Sequence, residues 1–219
     1  MTVTWAIELD GDPAERVRAE LLVAPFFQGE RPLRGAAGRI DWRLGGLLSA
    51  MLARDAFDGA PEEAVLVPTS PCLRAPRALL VGVGPRADFV PKTLRAAARR
   101  AIERAAALGA GHVALVLPAE SEGGLPAERA AAAAVIGAGE ALEERPFALR
   151  LRLVVEPAAA GRARLALAEL VARIEMQGVA VRLASPDPAA APAGDEDPSL
   201  PRHDPRIRPP PAAKLPSLP

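Results

Sequence analysis

Short apolar runs alternate with longer segments of helical period along most of this chain. The runs "VTWAIEL" (3–9) and "AELLVAPFF" (19–27) have the length and composition of strands. After the turn-rich "GERPLRGAAG", Asp41 is placed to cap a helix whose apolar positions Ile40, Leu44, Leu47, Leu48, Met51 and Leu52 share one face. Two further buried strands follow, "AVLVPTS" (64–70) and "RALLVGVG" (77–84). The period then changes to 3.6 from Pro91 to Leu108, with Leu94, Ala98, Ala101 and Ala105 on one face and Gly109 as terminator. A strand "HVALVLP" (112–118), a helix over 125–144 opened by Pro126, an alternating strand "FALRLRLVVE" (147–156), a helix over about 161–177 and a strand "VAVRLAS" (179–185) complete the series.

Strands separated by helices of this length predict an α/β domain of three layers, α/β/α, with a mainly parallel sheet. The near-continuous Val, Leu and Ala of the strands agree, because a sheet covered on both faces has no polar side. Within this pattern Gly45 and Gly46 stand out, since each glycine inside a helix costs about 1 kcal/mol relative to alanine. Close packing of the helix against a neighbour is the expected return, with phosphate contact and a subunit contact as the other two uses.

Composition narrows the chemistry. The 219 residues, half of them hydrophobic, suffice for one substantial core, and 27 basic residues balance 27 acidic ones. No global field draws such a chain to nucleic acid, and the row Arg95, Arg99, Arg100 and Arg104 lacks the interleaved aromatics of a nucleic-acid groove. No stretch reaches the roughly 18 apolar residues of a membrane span, and the N-terminus lacks the basic and apolar regions of a signal peptide, so a cytoplasmic location is expected. Cys72 is alone, which leaves neither an internal disulfide nor a multi-cysteine zinc site. There is no Asn or Tyr, and His112 and His203 have no paired serine or carboxylate at a spacing that suggests catalysis. Residues 186–219 hold nearly half of the 24 prolines, and the composition predicts a disordered tail with "RIRPPPAAKLP" as its docking candidate. The domain is accordingly expected over 1–185.

The succession "AELLVAPFFQGERPLRGAAGRIDWRLGGLLSAMLARDAFDGAPEEAVLVPTSP", "RALLVGVGPRADF" and "LRAAARRAIERAAALGAGHVALVLP" resembles the N-terminal domain of the leucine aminopeptidase (cytosol aminopeptidase) family over roughly 18–145. The resemblance implies a macro-domain-like fold. Enzymes of that family hold two metal ions in a C-terminal domain around the motif Asn-Thr-Asp-Ala-Glu-Gly-Arg, which a chain without Asn cannot contain. The expectation is therefore a non-catalytic homologue without catalytic residues, metal or cofactor, acting through association with itself or with a full-length aminopeptidase. The macro-domain likeness implies an alternative, a binding module for ADP-ribose or another nucleotide. Its candidate residues are Gly35, Gly38, Trp42, Gly45 and Gly46, with Gly82 and Gly84 in a second turn. A divergent metallo-aminopeptidase is the third reading.

Overall fold

Leucine, valine and alanine runs bounded by Gly, Pro and polar turns do become strands, and the computed structural model describes residues 5–175 and 181–184 of them and their connections. In chain order the elements are β1 (Trp5–Asp10), β2 (Leu21–Phe26), α1 (Gly35–Arg43), α2 (Leu47–Leu52), β3 (Ala64–Pro68), β4 (Arg77–Gly82), α3 (Pro91–Ala107), β5 (His112–Val116), α4 (Ala127–Glu144), β6 (Leu149–Val154), α5 (Ala160–Glu175) and β7 (Val181–Ala184). The sheet runs β3-β4-β2-β5-β6-β1-β7. Every neighbour pair is parallel except β3 on β4, which is antiparallel at the edge. The expected α/β/α architecture with a mainly parallel, mixed sheet is thus present. The Pro-rich tail, its docking motif and His203 lie outside the described residues.

Two apolar clusters cover the two faces. One joins Ile7, Val23, Leu79, Val113, Leu115 and Leu151 to buried positions of α3, α4 and α5, and the other joins Leu22, Ala24, Phe26, Leu80 and Ala114 to Ile40 of α1 and Leu48 and Leu52 of α2. Alternate residues of each strand go to opposite clusters, as the period-2 geometry of a strand requires. Alanine and glycine set the spacing of the outer helices. At Gly137 of α4 a Cβ would collide with the Arg95 carbonyl of α3, so the backbones meet there more closely than any side chain permits.

The structure corrects one predicted element. Asp41 lies within α1 and does not open it: α1 begins at Gly35, and the helix expected through Leu52 is broken at Gly45–Gly46 into α1 and α2. Ile40 and Leu48 still reach the same cluster, which is why one periodic face runs through both pieces.

On the sheet face that carries α1 and α2, the β1–β6 half is charged. Arg152 donates through Nε (3.0 Å) and Nη2 (2.8 Å) to Glu8 Oε2, with Asp10 Oδ2 at 3.4 Å from Nη1. All three side chains are buried, and their mutual pairing offsets the cost of taking charge out of water. His112, at the start of β5, pairs in register with Arg150 and has a buried, unbonded Nε2. Burial first, and then the positive charges of Arg152 and Arg150, hold its pKa below the ordinary value of 6.5. The folded state therefore binds fewer protons here than the unfolded chain once the pH drops below that value. Stability contributed by neutral His112 is complete above pH 6.5 and is lost as the pH falls towards the depressed folded value. Denaturant midpoints measured at pH 7 and pH 5 are expected to differ less for His112→Gln than for the wild-type chain.

Candidate functional site

Parallel strands end on the same side, and the loops after β1, β2, β5 and β6 surround a crevice of about 400 Å³ there. Gly11–Glu15 follow β1, Pro25 and Phe27 end β2, Val116–Ala119 end β5 and Val154–Pro157 end β6. The N-terminus of α1, with Arg34, Gly35, Ala36 and Arg39, closes one wall. Such a crevice at the carboxyl edge is the usual ligand position of open α/β sheets. A second hollow of about 370 Å³ adjoins it, shares Glu15, Arg34, Gly35 and Arg39, and extends past Gly38 to Trp42 and Arg43.

Two arginines of the crevice, Arg39 and Arg86, are paired with carboxylates. Arg86 donates to Glu30 at 2.5 Å and lies over the Phe27 ring, 4.0 Å from its centroid. Arg39 on α1 faces two carboxylates, Glu15 at 3.5 Å and Glu122 at 4.0 Å. Glu15 Oε2 is buried and makes no hydrogen bond. Glu122 belongs to a single turn, Glu120–Glu122, in the β5–α4 connection. Its carboxylate packs against Gly35, where a Cβ would collide with Oε2 and lie 3.1 Å from Cδ. This same turn is fixed by Ser121 Oγ donating to Glu156 (2.9 Å) and by the Ala127 amide donating to Glu120 (3.0 Å). Among the described residues no three His, Cys, Asp or Glu side chains are grouped as metal ligands.

The seven residues singled out from the sequence separate into three groups. Gly35 lines the crevice, while Gly38 and Trp42 line the adjoining hollow together with Gly35. Gly82 and Gly84 line neither. Gly82 lies against the Gly59–Ala60 backbone, where a Cβ would collide with the Ala60 carbonyl. Gly84 uses its amide on the Gly59 carbonyl at 3.0 Å and its carbonyl on the Gln28 amide at 2.9 Å, so this turn is spent on the protein's own backbone.

Gly45 and Gly46 overturn the packing explanation. A Cβ on either would meet nothing within 4 Å, and both have positive φ, 66° and 83°. Their return is conformational: they carry the chain through left-handed geometry so that α2 can start in a new direction. Asp41 then fastens the joint. Its Oδ1 accepts from the Leu48 (2.7 Å) and Ser49 (3.1 Å) amides and its Oδ2 from Ser49 Oγ (2.5 Å), which satisfies free donors at the start of α2. The joint holds Trp42 outward, 67% exposed, with the Arg43 guanidinium 5.3 Å from its ring centroid.

Sequence reasoning missed Glu15, Glu30, Arg86 and Glu122. They lie far apart along the chain and carry no common spacing; the one signal that leads to their loops is the rule that ligand crevices of open α/β sheets lie at the carboxyl ends of the strands.

The fold and its crevice define a macrodomain-like α/β module. A mutant macrodomain of Oceanobacillus iheyensis superposes with a TM-score of 0.62 at 16% identity, covering 76% of this chain and 92% of that one. A Trypanosoma brucei macrodomain in complex with ADP-ribose gives 0.59 at 22% identity, over 72% of this chain and 66% of the other. A mutant tomato leucine aminopeptidase gives 0.56 at 19% identity, over 76% of this chain and 36% of that enzyme. The particular family follows from the sequence. Residues 23–145 match the model of the cytosol aminopeptidase family, N-terminal domain, and the chain belongs to that family. A probable cytosol aminopeptidase of Halorhodospira halophila is 38% identical over 111 residues, 49% of this chain and 21% of the relative. One from Alkalilimnicola ehrlichii is 32% identical over 105 residues, 48% of this chain and 21% of the relative. The matched region spans about a fifth of these relatives' length.

If left-handed geometry and not crowding is what position 46 demands, size should matter little there. Gly46→Ala and Gly46→Leu are each expected to lower stability by about 1–2 kcal/mol, to within a few tenths of one another, in equilibrium denaturation. A leucine variant several-fold more costly than the alanine variant would restore the packing explanation.

Proposed function

We propose that this chain is a non-catalytic association module, which binds another copy of itself or a full-length cytosol aminopeptidase through the α1–α2 joint. The observation that carries the proposal is the exposed Trp42. Tryptophan and arginine are the residues that most often dominate binding energy at protein interfaces. Here Trp42 (67% exposed), Leu47 (41% exposed) and Arg43 project from one joint whose geometry Asp41 fixes. A rigid aromatic anchor loses little conformational entropy on binding. The family match supports the partner class, because it is confined to the N-terminal domain of enzymes that are longer than the matched region.

Trp42→Ala is expected to weaken self-association, or capture of a cytosol aminopeptidase, by about tenfold or more, the loss typical of an interface hot spot. Melting temperature should stay within a degree or two, since the side chain is mostly in solvent. Light scattering of the purified chain across a concentration series, and a binding titration with the enzyme, read the outcome. A monomer that ignores the enzyme, or binding indifferent to Trp42, refutes the proposal. Hydrolysis of leucine amide by the chain in the presence of manganese would refute its non-catalytic part.

One observation favours a second function, nucleotide binding: a crevice of about 400 Å³ at the carboxyl edge falls within the size range of small-molecule sites, and Trp42 borders its extension. The Trypanosoma brucei neighbour holds ADP-ribose. A melting-temperature rise with ADP-ribose that Gly35→Val abolishes would establish that function in place of the first.

A further inference from the structure

We infer that the acidic segment Asp195-Glu196-Asp197, with the Leu200-Pro201 pair that follows it, docks within the same molecule on the arginine and tryptophan face of α1. Residues 195–201 lie outside the described residues; the face that receives them is described. Arg34, Arg39, Arg43 and Trp42 line the outer hollow, and Glu15 is its one carboxylate. That carboxylate is matched with Arg39 at 3.5 Å, and Arg39 also faces Glu122 at 4.0 Å. Among the described residues Arg34 and Arg43 have no carboxylate partner, and the Arg43 guanidinium lies 5.3 Å from the Trp42 ring centroid. The hollow thus keeps an excess of positive charge beside an exposed ring, in a chain whose charges balance overall.

The segment supplies what this face lacks. Between Arg182 and Arg202 the chain carries four acidic residues and no basic one, and three of the four are consecutive at 195–197. Pro198, Leu200 and Pro201 add apolar surface beside them, and aromatic side chains are what proline-containing segments dock on. Reach is sufficient. β7 is parallel to β1 and ends at Ala184, so the chain leaves the sheet at the carboxyl edge, where the crevice and the hollow open. Four strand spacings separate β7 from β2, the strand beside α1, a width of roughly 19 Å. Residues 185–194, fully extended, span about 33 Å. Exposed ion pairs contribute little singly, but a tether of this length holds the segment at an effective concentration on the order of millimolar, so a weak contact is populated.

The test uses acrylamide, a neutral quencher, on the full chain. Of the two tryptophans Trp5 is 3% exposed, so the quencher reads Trp42, and a Trp42→Phe chain gives the Trp5 background. Neutralising the segment with Asp195→Asn, Glu196→Gln and Asp197→Asn together is expected to raise the quenching constant about twofold, as release of a half-populated tethered contact requires. Arg34→Glu should raise it likewise. Sodium chloride at about 0.5 M should bring the wild type to the level of the neutralised variant, because exposed charges are screened. Association through Trp42 would also shield the ring, but that protection falls on dilution, whereas docking within one molecule does not, so the two proposals fail separately. Equal quenching of wild type and neutralised variant overturns the inference. Insensitivity to Arg34→Glu, or protection that disappears on dilution to the monomer, overturns it as well.

Discussion

Parallel pairing of β1, β2, β5 and β6 is the constraint on which the rest of this structure depends. A parallel neighbour is reached only by a crossover, and the crossovers here are helices that must lie on the faces of the sheet. Both faces are then buried, which demands apolar strands, and every strand end of one kind gathers at one edge. The crevice is the geometric result. Its walls are loops that the sheet has no further use for, and their side chains are free to carry charge.

Those side chains give the edge an unusual balance for its position. A helix N-terminus at the carboxyl edge of a parallel sheet is ordinarily suited to anions. In this chain the Glu122 carboxylate packs against Gly35, Arg39 and Arg86 are matched with carboxylates from separate loops, and the outer hollow ends in an exposed tryptophan. Family membership explains the scaffold.

That joint shows how a sequence signal can be seen and assigned the wrong cause. The glycine pair was visible as a cost within a helical pattern, and close packing is the common reason for such a cost. The structure leaves open space at both positions and shows positive φ instead. Asp41, legible as a capping residue, does cap a helix, but the one after it, seven and eight residues along the chain. Sequence periodicity could not reveal the break, because Ile40 and Leu48 point to the same cluster on either side of it. The reversal of β3 was equally hidden: an apolar strand at a sheet edge reads alike in either direction.

The sequence by itself determined the alternation of strands and helices, the covered sheet and the family, because these follow from hydrophobic period and from the order of motifs, both local along the chain. Tertiary structure decided which loops share the crevice, that Glu122 rests on Gly35 while Arg86 turns to Glu30, and that Trp42 stands in solvent. Those outcomes depend on strand order, which brings residues near 15, 35, 86, 122 and 156 to one edge. Strand order is set by how whole elements pack on each other, and a pattern confined to neighbours in sequence carries no record of it.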